Sequence, residues 1–535
     1  MGDNTNFLNS VSDILMGKLL RSGAVISAMT MISRVLGLVR DLVFANYFLI
    51  GGISDAFFAA FRIPNLLRRL VAEGAFSLAF VPVLVEYKET RSKEALHDLL
   101  DHVAGMLGMI LLVISILGVI AAPIIMFIFT PGFDSKPDAR PELAVDLLRI
   151  TFPYIFFISL SALAGGILNT YKRFAVPAFT PVLLNVSLLI SIIWISPYFD
   201  EPIKAVAWGV LIGGVIQLAF QLPALYKIGM IPKFKFKRGH QGVKHIMKLM
   251  VPALLGSSVA QINLLLNTLI ASFLTVGSMS WLYYSDRFVE LPLAIIGVAI
   301  GTVILPKLSA DHANKGPEKF SATLDSAMRV ALMIGIPAMV GLLMLAKPIM
   351  AFALDNGVNG WQDVEMSSMS LMTYALGLPA FILVKVLAPG FYSRQDTKTP
   401  VKIGIISVVS NIILSALIVY PWYKFGYIGP HAGLALAVAM AGYINAGMLY
   451  YQLKKQGIYF YQKEGAKLWI KDLLRIAVAL VAMVMVLWWL TPADTWWQSA
   501  TMWTKVGHLL ALVVLSVMAY FGALFLLGVR KQQIL

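Results

Sequence analysis

The sequence contains no cysteine in 535 residues, which excludes disulfide bonds and thiolate metal sites. It has no Gly-x-x-x-x-Gly-Lys-Ser/Thr segment to cradle nucleotide phosphates. The seven histidines form no HExxH motif or comparable ligand spacing. The N-terminal residues lack the ordered regions of a signal peptide, so none is expected to be removed. We therefore expect no ATP hydrolysis, no other catalysis, no metal site and no cofactor.

Charge is also scarce, since only 13% of the residues are charged, whereas 59% are hydrophobic. A soluble domain has about 25% charged residues and roughly 45–50% apolar ones. Apolar runs of about 20 residues, the length that crosses a bilayer as a helix, recur along the chain. They predict an all-α polytopic membrane protein with about fourteen transmembrane helices. The predicted spans are 22–49, 53–85, 103–131, 144–169, 174–196, 203–226, 249–276, 279–307, 321–352, 366–391, 400–421, 427–452, 470–491 and 505–529.

The Lys and Arg residues behind the net charge of +15 lie in short loops between these spans. Their distribution indicates how the chain is oriented in the membrane rather than a nucleic-acid partner. The alternate loops are poor in Lys and Arg but contain eight Asp and Glu residues, and several Trp residues cluster at the same ends of their helices. Both termini are therefore predicted to be cytoplasmic. The Trp residues predicted to lie at the opposite interface are Trp361, Trp422, Trp488, Trp489, Trp496, Trp497 and Trp503.

An internal repeat is visible at an offset of about 224 residues. The segment from Phe57 to Pro82 resembles the segment from Trp281 to Pro306. Independently, the turn 171–173 before Pro177 matches 394–396 before Pro400 at an offset of 223. Two coincident offsets predict a duplication of six spans, with two further helices after the second copy. Repeats of this kind are typical of alternating-access carriers.

Charges at membrane depth concentrate in the first, second and eighth spans. Such residues usually face a partner or a water-filled cavity, because leaving them in lipid is costly. Six arginines accompany five acids, and guanidinium is the side chain best shaped for phosphate oxygens, so an anionic substrate is predicted. Buried ion pairs that only hold helices together are the alternative for Arg69 with Glu73 and for Arg287 with its acidic neighbours. The set is Arg34, Arg40, Asp41, Asp55, Arg62, Arg68, Arg69, Glu73, Asp286, Arg287 and Glu290.

At these residues the sequence resembles the MurJ (MviN) family, the lipid II flippases of the multidrug/oligosaccharidyl-lipid/polysaccharide exporter superfamily. The resemblance rests on four long segments rather than on one short motif. They are SRVLGLVRD (Ser33 to Asp41), SDAFFAAFRIPNLLRRLVAEGAFSLAFVP (Ser54 to Pro82), SWLYYSDRFVELP (Ser280 to Pro292) and VKVLAPGFYSRQDTKTPVK (Val384 to Lys402).

The resemblance implies two pseudo-symmetric six-helix lobes around a cationic cavity, in the bacterial inner membrane. It implies that the chain moves undecaprenyl-pyrophosphate-linked peptidoglycan precursor to the periplasmic leaflet, and that the last two helices form a groove for the lipid tail. The substrate-binding residues would be Arg34, Arg40, Arg68 and Arg287. Asp55, Glu73 and Glu290 would be their acidic partners. The pattern of charges at membrane depth adds Asp41, Arg62, Arg69 and Asp286 as supporting cavity charges.

Three other functions are compatible with a polytopic membrane protein. A flippase for another lipid-linked oligosaccharide is the nearest, and a drug/cation antiporter is disfavoured by the excess of arginine. A membrane scaffold would need large soluble segments; the longest basic loop is the candidate docking surface for cell-wall synthesis and division proteins. The predicted regions are 1–21, either an interfacial amphipathic helix or a lead-in to the first span, 22–226 (first lobe), 227–248 (basic cytoplasmic loop), 249–452 (second lobe) and 453–535 (lipid-tail groove and cytoplasmic C-terminus).

Overall fold

The computed structural model describes residues 28–70, 76–236, 240–313, 316–355, 357–460 and 465–529. The N-terminal segment predicted as an interfacial helix and Glu73 lie outside these residues. Across them the structure is helical, with one isolated β-bridge between Asp355 and Asn359 and no strand. The predicted all-α class is confirmed.

The first eleven helices end at Ala313. Helix α1 covers residues 28–47. The following helices are α2 (Gly52–Leu67), α3 (Phe76–Thr90), α4 (Lys93–Ile120), α5 (Ala122–Phe129), α6 (Pro141–Thr151), α7 (Tyr154–Thr170), α8 (Ala175–Ile190), α9 (Pro202–Lys227), α10 (Gln241–Ser272) and α11 (Ser278–Ala313).

The remaining helices complete the chain to residue 526. They are α12 (Pro317–Met344), α13 (Ala346–Leu354), α14 (Trp361–Leu376), α15 (Leu378–Tyr392), α16 (Lys398–Lys424), α17 (Pro430–Lys455), α18 (Gly465–Leu490), α19 (Asp494–Ser499) and α20 (Met502–Leu526).

Local sequence explains several of the helix starts. Helices α9, α12 and α17 each begin at a proline, whose fixed φ suits the first helical position and whose missing N–H is not needed there. Ser92 caps α4 by accepting a hydrogen bond from the amide of Ala95 at 3.3 Å. The polar residues at these ends therefore set where each apolar run becomes helical.

Ten stretches of the described residues are long and apolar enough to cross a membrane. The four other predicted spans overlap helical residues of α1, α2 with α3, α10 and α11. A polytopic membrane protein is therefore confirmed, whereas the count of fourteen stays a prediction. Large apolar side chains on α18 and α20 are exposed, as expected of surfaces that face lipid.

The helix bounds reproduce the internal repeat. Helix α12 begins and ends 224 residues after α4, and α17 matches α9 in length and in its terminal Pro and Lys. In the two turns that share the offset of 223, Lys172 and Gln395 have positive φ angles of 60° and 63°. Their amides donate to equivalent carbonyls, those of Asn169 and Tyr392, at 2.9 Å each. The two copies thus share backbone geometry as well as sequence.

The chain divides into two compact units. The first comprises Met1–Phe48 and Gly52–Gln261, and in it α9 packs against α7 and α8. The second comprises Leu49–Gly51 and Ile262–Leu535, and in it α17 packs against α14, α15 and α16. Within the second unit α18 and α20 pack together and α18 also contacts α12. The predicted limits of the two lobes stay a prediction.

The tryptophans predicted to lie at the interface differ in burial. Trp488, Trp489 and Trp503 are strongly exposed, whereas Trp497 is only 1% exposed. Its ring packs edge-on against Trp496 at 5.0 Å and lies 5.9 Å from the ring of His508. Sequence position alone could not separate an interfacial indole from one buried under α19, because both occur at a helix end.

Candidate functional site

Arg40, near the C-terminal end of α1, is buried in a polar network of the first unit. Its Nη2 lies 2.6 Å from Oδ1 of Asp41, and Nε donates to the same oxygen at 3.0 Å. Nη1 donates to Oδ1 of Asn185 on α8 at 3.1 Å, and Asn185 donates in turn to the carbonyl of Ser33 at 3.0 Å. Arg40 and Asp41 are 8% and 5% exposed. The network therefore fixes α1 to α8.

Asp55, in the first turn of α2, is buried at 3% exposure. It lies close to Lys136, in the loop between α5 and α6. Burial lowers the pKa of Lys136, and the carboxylate of Asp55 opposes that shift. A side chain at Gly52 would collide with the carbonyl of Asp138 in the same loop. Asp55 thus belongs to a contact between α2 and this loop.

The other basic residues of the first unit are more accessible. Arg34 is exposed on α1, and Arg62, Arg68 and Arg69 are half-buried around the end of α2. The backbone changes from α-helix to π-helix over residues 68–70, where a wider turn redirects the side chains. The Nε and Nη2 of Arg68 donate to Oδ1 of Asn65 at 3.1 and 2.9 Å. The predicted pairing of Arg69 with Glu73 involves a residue outside the described ranges.

In the second unit, Arg287 lies in a half-exposed cluster on α11. Its Nη2 and Nε donate to the hydroxyl of Tyr283 at 3.1 and 3.3 Å, and the guanidinium lies 5.2 Å from the centre of that ring. Its Nη1 lies 3.4 Å from Oε2 of Glu290. The Arg287 and Glu290 side chains are 34% and 38% exposed, so this pair is weakly held. Asp286, next along the helix, is half-buried.

The start of α11 is fixed by hydrogen bonds that do not involve these charges. The indole N–H of Trp281 donates to Oδ1 of Asp363 on α14 at 2.8 Å. The hydroxyl of Ser285 donates to the carbonyl of Ser367 at 2.7 Å. These bonds hold one face of α11 against α14 while Arg287 occupies another face, because residues 285 and 287 are about 200° apart on a helix.

Sequence reasoning missed two partners of the predicted arginines, Asn185 and Tyr283. Asn185 is the one amide side chain in an otherwise mostly apolar span, which is a usable signal, but its partner is 145 positions away. Tyr283 stands four residues before Arg287, so helical spacing could have paired them. Neither residue carries a charge, so neither stands out in the pattern of charges at membrane depth.

Comparison with known proteins gives a match to the family described as lipid II flippase MurJ over residues 44–507, most of the chain. The chain belongs to the MurJ family. A MurJ relative from Vibrio cholerae, named a probable lipid II flippase, is 45% identical over 97% of this chain and 98% of its own length. The members of this family are transporters by description rather than enzymes.

Solved structures agree with the MurJ assignment. One titled as lipid II flippase MurJ in an inward closed conformation has a TM-score of 0.76 at 30% identity, covering 94% of this chain and 99% of its own. An inward-facing multidrug resistance transporter of the MATE family has a TM-score of 0.66 at 16% identity, covering 81% and 98%. The second likeness concerns the fold alone.

Proposed function

We propose that this protein is a lipid II flippase, which moves the undecaprenyl-pyrophosphate-linked peptidoglycan precursor from the cytoplasmic to the periplasmic leaflet. The observation that carries the proposal is the family match over residues 44–507. No covalent bond is made or broken. The substrate's polar headgroup must be shielded from hydrocarbon while it crosses, because exposing its charge to lipid would be costly.

The pyrophosphate of the substrate is the group that arginines would recognise. Guanidinium binds phosphate oxygens through two parallel hydrogen bonds, which a point charge cannot do. Arg287 suits this role because its side chain is about one third exposed and its contacts include a tyrosine hydroxyl and a half-exposed carboxylate. Arg34 and Arg68 are accessible for the same contact.

Arg40 has a different place in the proposal. Its guanidinium is already engaged by Asp41 and Asn185 in the described state. Direct contact with pyrophosphate, as expected from the resemblance, would require these bonds to break. We propose that Arg40 contacts substrate only if α1 moves relative to α8 during alternating access, and that otherwise it supports the arginine-rich cavity through packing.

The decisive experiment is to deplete the protein in cells and measure the leaflet in which lipid II accumulates. Accumulation in the cytoplasmic leaflet, relieved by the wild-type chain and not by Arg287→Ala, is the expected result. If lipid II is distributed normally and a different lipid-linked oligosaccharide accumulates in the cytoplasmic leaflet, the result would instead support the rival flippase. Lys307→Ala is the matched control, since Lys307 is an exposed basic residue of the same helix.

The proposed location is the inner membrane with both termini in the cytoplasm. Because the chain has no cysteine, single cysteines can be labelled from outside the cell without background. Cysteines at exposed Gln362 and Ser499 should react with an impermeant maleimide, while one at exposed Lys244 should not. Lys244 is preferable to Gly242, where a side chain would collide with Tyr87 and Leu99. Labelling of position 244 in intact cells would refute this topology.

Protein partners form a separate part of the proposal. The basic connection 227–248, whose last residues begin α10, is the proposed docking surface for cell-wall synthesis and division proteins, because it is rich in cationic residues. Exposed Phe234 and Phe236 alternate with lysines in it. Crosslinking from a photoreactive residue at position 236 would identify a partner, and recovery of lipid crosslinks alone would count against this assignment.

A further inference from the structure

A cluster of metal-ligating side chains lies in the first unit, on elements separate from those that carry the predicted arginines. Asp98 and His102 are four residues apart on one face of α4, and His240 immediately precedes α10. One potential ligand atom from each lies within 4.8 Å of the others. The oxygens of Asp98 are each 3.4 Å from a histidine nitrogen, Oδ1 from Nδ1 of His102 and Oδ2 from Nε2 of His240.

The spacing suits a small divalent ion bound by nitrogen and oxygen. Zinc bonds of about 2.0–2.2 Å in a tetrahedron place neighbouring ligand atoms roughly 3.3 Å apart. The 3.4 Å separation between Oδ2 of Asp98 and Nε2 of His240 matches this value. The other separations in the cluster, which are within 4.8 Å, can close by rotation of Asp98, which is about half exposed. Imidazole ligands favour zinc-like ions over magnesium and calcium, which prefer sets of oxygen ligands.

A neighbouring lysine does not occupy the ligand set. The Nζ of Lys235 lies 2.9 Å from Oδ2 of Asp101 but 3.7 Å from Asp98. Asp101 also accepts the backbone N–H of Lys233 at 2.7 Å. Because Asp101 neutralises the ammonium of Lys235, this lysine keeps an ion pair when Asp98 binds a cation.

The surrounding contacts restrict the histidine rings. Nδ1 of His102 lies 2.7 Å from the carbonyl oxygen of Asp98, a contact in which the neutral ring donates and keeps a lone pair on Nε2. Histidines that bind metals usually make such an outer hydrogen bond. The His102 and His240 rings are stacked at 4.8 Å. The 3.4 Å hydrogen bond from the Val243 amide to Nδ1 of His240 would break when His240 binds the ion.

The cluster also joins two elements that are distant in sequence. The extended segment 231–236 lies against α4, where the carbonyl of Lys235 approaches Gly105 so closely that a Cβ there would collide with it. The Lys235 amide donates to the carbonyl of Asp101 at 3.2 Å. This segment leads through His240 into α10, so a metal ion bound by the cluster would tie the start of α10 to α4.

We propose that Asp98, His102 and His240 form a binding site for a zinc-like divalent transition-metal ion, with water as the fourth ligand. The bound ion clamps the connection between α9 and α10 onto α4. This site is independent of lipid II transport, and its test does not depend on the proposed function.

The test is a zinc titration of the full chain, purified in detergent with any histidine tag removed and stripped with a chelator. A chromophoric chelator competes for the ion. We expect one zinc per chain, and affinity at least about 100-fold weaker in His240→Gln and Asp98→Asn, because each removes a direct ligand. Both altered residues are at least partly exposed, so the fold should be retained. His97→Gln and the exposed His245→Gln are the matched controls.

Hydrogen exchange provides a second readout. Zinc should slow exchange in peptides covering 229–236 in the wild type and the controls, and should have no effect in His240→Gln. The proposal is overturned if the wild type binds no stoichiometric zinc, or if His240→Gln binds it as tightly as His245→Gln does. Zinc binding without slower exchange would overturn the clamping role.

Discussion

The two halves of the repeat share a backbone but differ in charge. Helices α4 and α12 have bounds 224 residues apart, yet at that offset Arg62 in the first half corresponds to Asp286 in the second, and Arg68 to Pro292. The first unit is therefore rich in arginine near α2, whereas the second has one arginine between two acids on α11. The two halves thus share backbone features, while their side-chain chemistry differs.

The local environments of the arginines differ as well. Arg40 in the first unit is fully engaged and nearly inaccessible, whereas Arg287 in the second is about one third exposed and weakly paired. A buried guanidinium with several partners stabilises packing, and an accessible one with exchangeable partners can bind a ligand. Substitutions in the two regions should consequently affect different properties.

The largest effect is expected at Arg287. Arg287→Ala should abolish growth complementation, because it removes the accessible guanidinium of the second unit. Arg287→Lys should restore little, since an ammonium lacks the paired donors. Complementation assays with membrane levels measured by immunoblot provide the check, and Lys307→Ala should grow normally. Normal growth of Arg287→Ala at wild-type protein level would show that this arginine is not part of the substrate site.

A change in the Arg40 network should reduce stability instead. Asp41→Asn leaves a buried guanidinium without its carboxylate and should lower the free energy of unfolding by about 3 kcal/mol. The measurement is unfolding of purified protein in mixed micelles. Asp134→Asn, at an exposed loop position, should change it little. If Asp41→Asn is as stable as wild type but binds lipid II poorly, Arg40 is a ligand rather than a support.

Arg68 tests whether the first unit also contributes a ligand. Arg68→Glu should weaken lipid II binding about tenfold or more, since a charge-assisted hydrogen bond contributes roughly 1.5–3 kcal/mol. Wild-type affinity should fall as salt rises, because the attraction is screened in a hydrated site. Binding to purified protein at low and high salt measures both.

The control for Arg68 is an exchange of Arg69 and Glu73, which the spacing of four predicts to be a pair on one helix face. This exchange should keep partial function, because it preserves the opposite charges. If the exchange variant has no function and Arg68→Glu binds lipid II normally, then Arg69, and not Arg68, contacts the substrate.

Much of the fold could be predicted from sequence because its causes are local or periodic. Apolar run length identified the ten stretches that qualify as spans, and the repeat offset anticipated equivalent turns at Lys172 and Gln395. Breaks between helical pieces, such as that between α4 and α5 at Ala121, were not anticipated, because the hydrophobic run continues through them. A hydropathy profile identifies segments that can lie in lipid, but it does not reveal a turn within such a segment.

The candidate site was less predictable for a related reason. The arginines were found because charge at membrane depth is rare, but their roles depend on partners far along the chain, such as Asn185 for Arg40. The proposed metal cluster of Asp98, His102 and His240 has no local spacing pattern, because His240 is distant in sequence from the other two residues. Residues brought together by tertiary packing leave no spacing pattern.

The smallest effect concerns the turns that the two halves share. Lys172 and Gln395 have positive φ, a conformation that costs a residue with a Cβ about 1–2 kcal/mol. Glycine removes this cost but loses more conformational entropy on folding, so Lys172→Gly and Gln395→Gly should each stabilise the protein by roughly 0.5–1 kcal/mol. Arg173→Gly, next to the first turn at a residue without positive φ, should be neutral or destabilising. Unfolding in mixed micelles would measure all three variants, and opposite effects at Lys172 and Gln395 would mean that the two halves do not share this turn.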